Sequence, residues 1–183
     1  MARARYEEPE EPRARLSDGT IARIVASQYA NGLELQVDGT PQSHVDLDDP
    51  THLHFEYVAR MGAVIDQLRM PRQPLTAVHL GAGALTIPRY VEHTRPGSRQ
   101  QVIELEPALW DLVRENAPLP RGAAVRVRIG DARAGLGRLP DAMTGAVDLL
   151  VSDVYSGSQT PAHLTTLEFY TEAAKLLAPE GVL

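Results

Sequence analysis

Glycines and carboxylates follow four apolar runs of this sequence, at the points where strands would end. They are Gly81 and Gly83 after the run ending at Leu80, then Glu104, Asp131 and Asp153 after the three later runs. Glycine lets a backbone pass close to a ligand, whereas a carboxylate can bind sugar hydroxyls or take a proton from an amine. If the runs are strands of one parallel sheet, these groups meet at one edge and form a single pocket.

The first two sites have the spacing of a nucleoside pocket. Gly81 and Gly83 predict a tight turn into a helix, whose first N–H groups would face a ligand. Glu104 lies roughly 20 residues further on, where a carboxylate can accept hydrogen bonds from both ribose hydroxyls. Glu106 is the alternative ribose ligand, although Pro107 starts a helix there and makes Glu106 a natural N-terminal helix charge.

The other two sites, Asp131 and Asp153, suit the base and the reacting group. Asp131 can receive the exocyclic amine of an adenine, cap the helix that follows, or do both. Asp153 closes a very apolar run and is a general base, an amine-binding group or the start of a loop. The sequence has no Gly-x-x-x-x-Gly-Lys-Ser/Thr loop, which disfavours a nucleotide held by its phosphates. An adenosine that carries a sulfonium fits these sites better.

The elements that must position these groups alternate regularly after Pro74. The predicted strands are 77–80, 101–105, 124–129, 147–152 and a last one starting at 181, and the predicted helices are 85–93, 107–116, 132–138 and 164–177. Strands that alternate with helices through short loops predict an α/β fold. The specific expectation is a Rossmann-like, methyltransferase-type doubly wound sheet.

The residues before Pro74 follow a different pattern. Short apolar runs at 21–25 and 33–37, with the turn dipeptides at 31–32 and 38–39, predict a small β-hairpin region. Apolar residues at helical spacing over 53–68 predict one amphipathic helix. The predicted organisation is a disordered N-terminus at 1–19, a hairpin region at 20–50 and a Rossmann-like nucleoside-binding domain at 51–183.

The last predicted strand begins only three residues before the sequence stops. A sheet that ended there would leave an unpaired apolar edge, which is an aggregation hazard. We therefore expect the chain to be a fragment of a longer protein, truncated at its last strand.

Composition narrows the class of partner. A net charge of -6 and a pI near 5.5 provide no basic surface for nucleic acid, which favours a small-molecule partner. The absence of cysteine excludes disulfides, thiolate nucleophiles and cysteine zinc sites. The first 15 residues contain no apolar core, so they predict neither a signal peptide nor a membrane helix. We expect a cytoplasmic protein with no membrane partner.

Three histidines, His44, His52 and His54, lie close in sequence to several aspartates. A metal site is one interpretation, but neither helical His-x-x-x-His spacing nor a Cys-x-x-Cys motif accompanies them. We interpret the segment as a polar loop and expect no metal.

Six motifs, in order and at similar spacing, resemble those of the spermidine synthases, the polyamine aminopropyltransferases. They are residues 80–83, 88–90, 104–106, 130–132, 151–153 and 168–170, and residues 37–42 resemble the hairpin motif of that family's small N-terminal β-domain. The resemblance implies that Glu104 binds the ribose of decarboxylated S-adenosylmethionine. It implies that Asp131 and Ala132 contact the adenine, and that Asp153 deprotonates the attacking amine.

The implied reaction of polyamine biosynthesis moves an aminopropyl group to a small amine and leaves methylthioadenosine. The sequence departs from the family pattern at Ala84, where the family has an acid, at Ser156, the second acid of its catalytic loop, and at residues 54–56, which replace Tyr-His-Glu. Carboxylates must replace the water around a dicationic amine, so these departures predict weakened binding of a polyamine acceptor.

Two other functions share the same pocket. An S-adenosylmethionine-dependent methyltransferase uses a similar glycine turn and similar strand-end acids. A non-catalytic spermidine synthase-like binding module would keep the fold without the chemistry, in keeping with Ala84 and Ser156. In each enzymatic case we expect a small-molecule amine substrate and a homodimer.

Overall fold

The structure is a computed structural model that describes residues 11–29, 31–155 and 159–183. Ser156 lies outside the described residues, as do residues 1–10 of the N-terminus predicted to be disordered. The described part of the chain contains two sheets and five α-helices.

The larger sheet is parallel and has five strands. Its strands are β5 (Thr76–Leu80), β6 (Arg99–Glu104), β7 (Val125–Ile129), β8 (Val147–Ser152) and β9 (Leu177–Val182). The helices between them are α2 (Thr86–Thr94), α3 (Pro107–Asn116), α4 (Ala132–Leu136) and α5 (Leu167–Ala174). The strand order is β7-β6-β5-β8-β9, and every neighbouring pair is parallel. The predicted Rossmann-like doubly wound sheet is confirmed.

The strand order reverses between β5 and β8. The chain builds β5, β6 and β7 in one direction and then returns to the other side of β5 for β8. In open α/β sheets, ligands bind at such a switch point, outside the carboxyl ends of the strands. Gly81 follows β5 and Asp153 follows β8, so the two residues flank this point.

Local sequence explains the central elements. Five of the six residues of β8 are buried, as expected of a parallel strand covered on both faces. Its one buried acid, Asp148, pairs with Arg69 and accepts a hydrogen bond from the Thr76 N–H at 2.9 Å. Asp148 therefore joins two strands at the edge opposite the site.

The smaller sheet is antiparallel and precedes the parallel one. It contains β1 (Arg13–Arg15), β2 (Ile21–Ala26), β3 (Gly32–Val37) and β4 (Thr40–Asp46), paired in chain order. The prediction of disorder over 1–19 is wrong for the described residues, because β1 pairs with β2 and Leu16 is buried. The charged composition of this segment does not predict a strand, because β1 is stabilised by its pairing with β2.

A single helix, α1 (Glu56–Gln67), connects the two sheets. The small sheet shares a hydrophobic cluster with α3, to which Leu35, Val45, Leu109 and Val113 contribute, among other residues. The small sheet is therefore packed against α3 through this one cluster, which is separate from the other hydrophobic clusters of the parallel sheet. Among the described residues, no helix has both the length and the apolar character to cross a membrane.

Several predicted bounds differ at the carboxyl end. The last strand starts at Leu177 rather than at 181, and α5 ends at Ala174 rather than at 177. The sequence pattern at Leu176 and Leu177 is equally compatible with the end of a helix and with the start of a strand. Pairing with β8 decides the outcome, although the register of β8 and β9 is irregular.

Candidate functional site

The backbones after β5 and β8 lie against each other at the switch point. Gly81 donates its N–H to the Ile103 carbonyl at 2.8 Å, and Asp153 donates its N–H to the Leu80 carbonyl at 3.0 Å. Gly81 has a φ of +88°, and a Cβ at this position would overlap the Asp153 carbonyl oxygen and lie 3.3 Å from Val154 Cγ1. Glycine is required here both by the backbone conformation and by the close approach of β8.

Gly83 is covered by the small sheet. Its φ is +47°, and a Cβ there would overlap the hydroxyl of Ser43 on β4. The neighbouring Thr86 hydroxyl donates a hydrogen bond to the His44 carbonyl at 2.9 Å. β4 therefore closes over the glycine turn at the start of α2.

A buried arginine holds the helices behind this turn. Arg89 Nε donates to the Ala84 carbonyl at 3.1 Å, and its other nitrogens donate to the carbonyls of Ala117 and Pro118 after α3. Burial lowers the pKa of Arg89 to about 10. Leu85, next to Ala84, starts α2 in the left-handed conformation with a φ of 62°, a strained arrangement that the buried contacts maintain.

Glu104 ends β6 with its side chain almost fully buried, at 8% exposure. Its Oε2 accepts the Ala82 N–H at 2.7 Å and its Oε1 accepts the Glu106 N–H at 2.8 Å. Burial raises the pKa of Glu104 above its ordinary value, and the backbone hydrogen bonds oppose that shift. The carboxylate thus holds the glycine turn, and each oxygen keeps a further lone pair for a ligand hydroxyl.

Glu106, the alternative ribose ligand, points elsewhere. Its Oε2 accepts the Ser17 N–H at 3.0 Å, and its Oε1 accepts the Ser17 hydroxyl. Glu106 therefore fastens the segment after β1 to the start of α3. The geometry favours Glu104 for the site, and its role in ribose binding remains a prediction.

Asp131 is both a helix cap and a partner of histidine. Its Oδ1 accepts the Ala134 N–H at 2.9 Å at the start of α4, and its Oδ2 lies 2.7 Å from His163 Nε2. Burial alone would raise the pKa of Asp131, but the hydrogen bonds from Ala134 and His163 lower it overall. Ala132, the first residue of α4, is buried. An adenine amine would therefore have to share Oδ2 with His163 or displace it.

Asp153 lies beside a tyrosine of α1. The Tyr57 hydroxyl donates towards Asp153 Oδ2 at 3.4 Å, a long hydrogen bond. Burial raises the pKa of Asp153, and the Tyr57 hydrogen bond partly offsets the increase. Among the described residues, Asp153 has no ion-pair partner within 4.0 Å. A carboxylate with a raised pKa and no bound cation is suited to accepting a proton from an amine.

The three histidines interpreted as a polar loop form a packed aromatic cluster with Tyr29. The ring centroids of His44 and His54 are 4.8 Å apart, and those of Tyr29 and His52 are 5.2 Å apart. His44 is buried, and Asp46 Oδ2 lies 3.4 Å from His52 Nδ1. In the part of the chain that the structure describes, no group of three or more such side chains is arranged to hold a metal ion.

Three side chains at the site, Ser43, Tyr57 and His163, were not singled out from the sequence. Ser43 and Tyr57 belong to elements that precede the parallel sheet, and 96 residues separate Tyr57 from Asp153. No local spacing signals such contacts. Ser43 and Tyr57 directly follow residues 37–42 and 54–56, which the resemblance to the spermidine synthases had drawn attention to, but His163 adjoins no such motif.

Curated relatives of the chain are named polyamine aminopropyltransferases. The protein from Vibrio vulnificus is 28% identical over 132 residues, which cover 72% of this chain and 42% of the relative. The protein from Chromobacterium violaceum is 24% identical and covers 78% of this chain and 52% of the relative. This chain thus spans about half the length of the curated relatives that it matches. No family model matches the chain.

Solved structures agree with this likeness. A probable spermidine synthase from Corynebacterium glutamicum is 31% identical, with a TM-score of 0.80, over 95% of this chain and 62% of that one. Human methyltransferase-like protein 13 in complex with SAH is 22% identical with a TM-score of 0.51, over 59% of this chain and 52% of that one, a likeness of fold alone.

Proposed function

We propose that this spermidine synthase-like chain binds a nucleoside of the decarboxylated S-adenosylmethionine type and transfers its aminopropyl group to a small amine at Asp153. One observation carries the proposal: Gly81 and Asp153 meet across the switch point, with the buried Glu104 anchored to the turn between them. The names of the relatives support the class of reaction.

The nucleoside half rests on Glu104 and the glycine turn. Glu104 is held by two backbone N–H groups, so it enters the site already oriented and needs no reorganisation to accept ribose hydroxyls. Asp131 and Ala132 lie at the end of the next strand, β7, where an adenine would follow the ribose. Gly83 lets β4 pack against this turn, because a Cβ there would overlap the Ser43 hydroxyl.

The reaction needs one proton acceptor and no metal ion. The amine nitrogen forms a bond to the aminopropyl carbon as the bond from that carbon to sulfur breaks. The electron pair of the broken bond stays on sulfur, which becomes the neutral thioether of methylthioadenosine, and one N–H proton passes to Asp153. Burial of Asp153 increases its basicity for this step.

Calorimetric titration with methylthioadenosine tests the nucleoside half. We expect binding by the wild-type chain and a loss of at least about tenfold in Glu104→Ala, because a charge-assisted hydrogen bond contributes roughly 1.5–3 kcal/mol. Glu115→Ala, an exposed acid on α3, is the matched control and should bind like the wild type. Equal affinity in all three proteins, or no binding in any, would contradict the proposal.

Product analysis tests the transfer. Decarboxylated S-adenosylmethionine and S-adenosylmethionine are each incubated with the protein and a panel of small amines, and products are identified by mass spectrometry. Aminopropylated amine and methylthioadenosine are the expected products. Methylated products from S-adenosylmethionine would instead support the methyltransferase alternative, and nucleoside binding without any product would support the binding module. Light scattering on the same sample tests the proposed homodimer.

A further inference from the structure

We infer that the amine site beside Asp153 accepts a monoamine with an apolar or aromatic body rather than a linear diamine. The inference rests on the proposed function and specifies the substrate class of the same site. It is carried by the aromatic side chains of Phe55, Tyr57 and Tyr155 and by the carboxylate of Asp153.

Aromatic surface is exposed around Asp153. Tyr57 contacts the carboxylate through its hydroxyl and is 40% exposed, and Tyr155, two residues after Asp153, is 60% exposed. Burial is the main cause of the raised pKa of Tyr57, and Asp153 and the nearby Tyr155 add to it, so both phenols lie in the surroundings of Asp153. The Phe55 ring is nearly parallel to that of Tyr57, at 11° and 6.2 Å between centroids. An amine that reaches Asp153 therefore passes along aromatic faces, which attract a cation and pack against an apolar body.

The charge at the site suits one ammonium. Tyr57 donates to Oδ2 of Asp153, which leaves Oδ1 for the N–H of the incoming amine. Ala84, in the glycine turn, is buried and apolar, and Glu56 at the start of α1 is an exposed acid paired with Arg60 at 2.6 Å. A second ammonium on the same substrate would lose its water without gaining a carboxylate among these groups.

A monoamine undergoes the same bond changes and proton transfer as those given for the proposed reaction. Its single nitrogen forms the new bond to the aminopropyl carbon, sulfur keeps the electron pair of the broken bond, and Asp153 takes the proton. The rest of the substrate needs only apolar contact. The ring of Tyr57 contacts the body of the substrate in this scheme, whereas its hydroxyl has a positioning role and acts on the substrate through Asp153.

The test uses the protein saturated with methylthioadenosine, whose binding is measured first. Calorimetric titrations with 2-phenylethylamine, butylamine and 1,4-diaminobutane then compare an aromatic monoamine, an aliphatic monoamine and a diamine. We expect 2-phenylethylamine to bind at least about tenfold more tightly than 1,4-diaminobutane, with butylamine between them.

Two variants and a control separate contact from folding. Tyr155→Ala should weaken 2-phenylethylamine by roughly threefold or more, whereas Tyr170→Ala, another exposed tyrosine on α5, should leave it unchanged. Tyr57→Phe keeps the ring, so it should preserve the preference for monoamines. Its loss of the hydroxyl should move the rising limb of the pH–rate profile to higher pH, a change that a purely structural role would not produce.

The outcomes distinguish a failure of the proposed function from a failure of the inferred substrate class. Absence of methylthioadenosine binding overturns the proposed function and this inference with it. Normal methylthioadenosine binding with equal or tighter binding of 1,4-diaminobutane overturns the inference alone, as does an unaltered affinity in Tyr155→Ala.

Discussion

Substitution of Gly81 by alanine separates the two reasons for a glycine at the switch point. Gly81 and Gly19 have nearly the same positive φ, +88° and +91°. A Cβ at Gly19 would meet nothing within 4 Å, whereas one at Gly81 would overlap the Asp153 carbonyl oxygen. Gly19→Ala therefore measures backbone strain alone, and Gly81→Ala measures strain together with the displacement of β8.

The expected magnitudes follow from these contacts. Alanine in the left-handed region costs about 1–2 kcal/mol of unfolding free energy at either position. Displacement of the β8 end adds roughly 1–3 kcal/mol at Gly81, because the hydrogen bond from the Asp153 N–H to Leu80 is strained and a packed region is overfilled. Gly81→Ala should thus be less stable than Gly19→Ala by at least about 1 kcal/mol.

Urea unfolding followed by circular dichroism measures both variants, and calorimetry with methylthioadenosine measures the site. Gly81→Ala should also lose nucleoside affinity, whereas Gly19→Ala should keep it. If the two variants lose equal stability, the close approach of Asp153 to the glycine turn does not constrain position 81, and this contact is not the centre of the site.

Three further predictions concern ionisable groups. Asp153→Asn should abolish transfer yet raise the thermal midpoint of unfolding at pH 7. Because burial raises the pKa of Asp153 in the folded state, the wild-type protein loses stability as pH rises from the ordinary carboxyl pKa through the folded-state pKa. Scanning fluorimetry from pH 4 to 8 should therefore find a higher midpoint for Asp153→Asn only at the upper end of this range. His163→Ala should tighten methylthioadenosine binding measured by calorimetry, because it frees Oδ2 of Asp131, and weaker binding would show that the imidazole itself contacts the base. Arg89→Met should lower the unfolding free energy by roughly 3 kcal/mol in urea titrations, since three carbonyls lose their donor, and a loss under about 1 kcal/mol would contradict that role.

The sequence predicted the features that depend on local pattern. Alternating apolar runs and short loops indicated the parallel sheet, and the strand-end positions of Gly81, Glu104, Asp131 and Asp153 follow from that topology. Carboxyl ends of parallel strands share an edge whatever the details of packing. This part of the site could therefore be predicted from the sequence alone.

Contacts between site residues and side chains from distant elements could not be predicted from the sequence. The Tyr57 hydroxyl reaches Asp153 from α1, and His163 reaches Asp131 across 32 residues. β1 is too short and too charged for its propensity to indicate a strand, and it exists because β2 offers it backbone partners. In each case a tertiary contact, rather than a periodic pattern, determines the structure.

The cluster shared by the small sheet and α3 has a consequence for the order of assembly. The small sheet precedes α3 in the chain, and α3 supplies Leu109, Leu112 and Val113 to the cluster that the apolar face of the sheet enters. We therefore expect the sheet to reach its full stability only when α3 is also present. In equilibrium unfolding, both sheets should melt in one cooperative transition, with identical midpoints for probes placed in each.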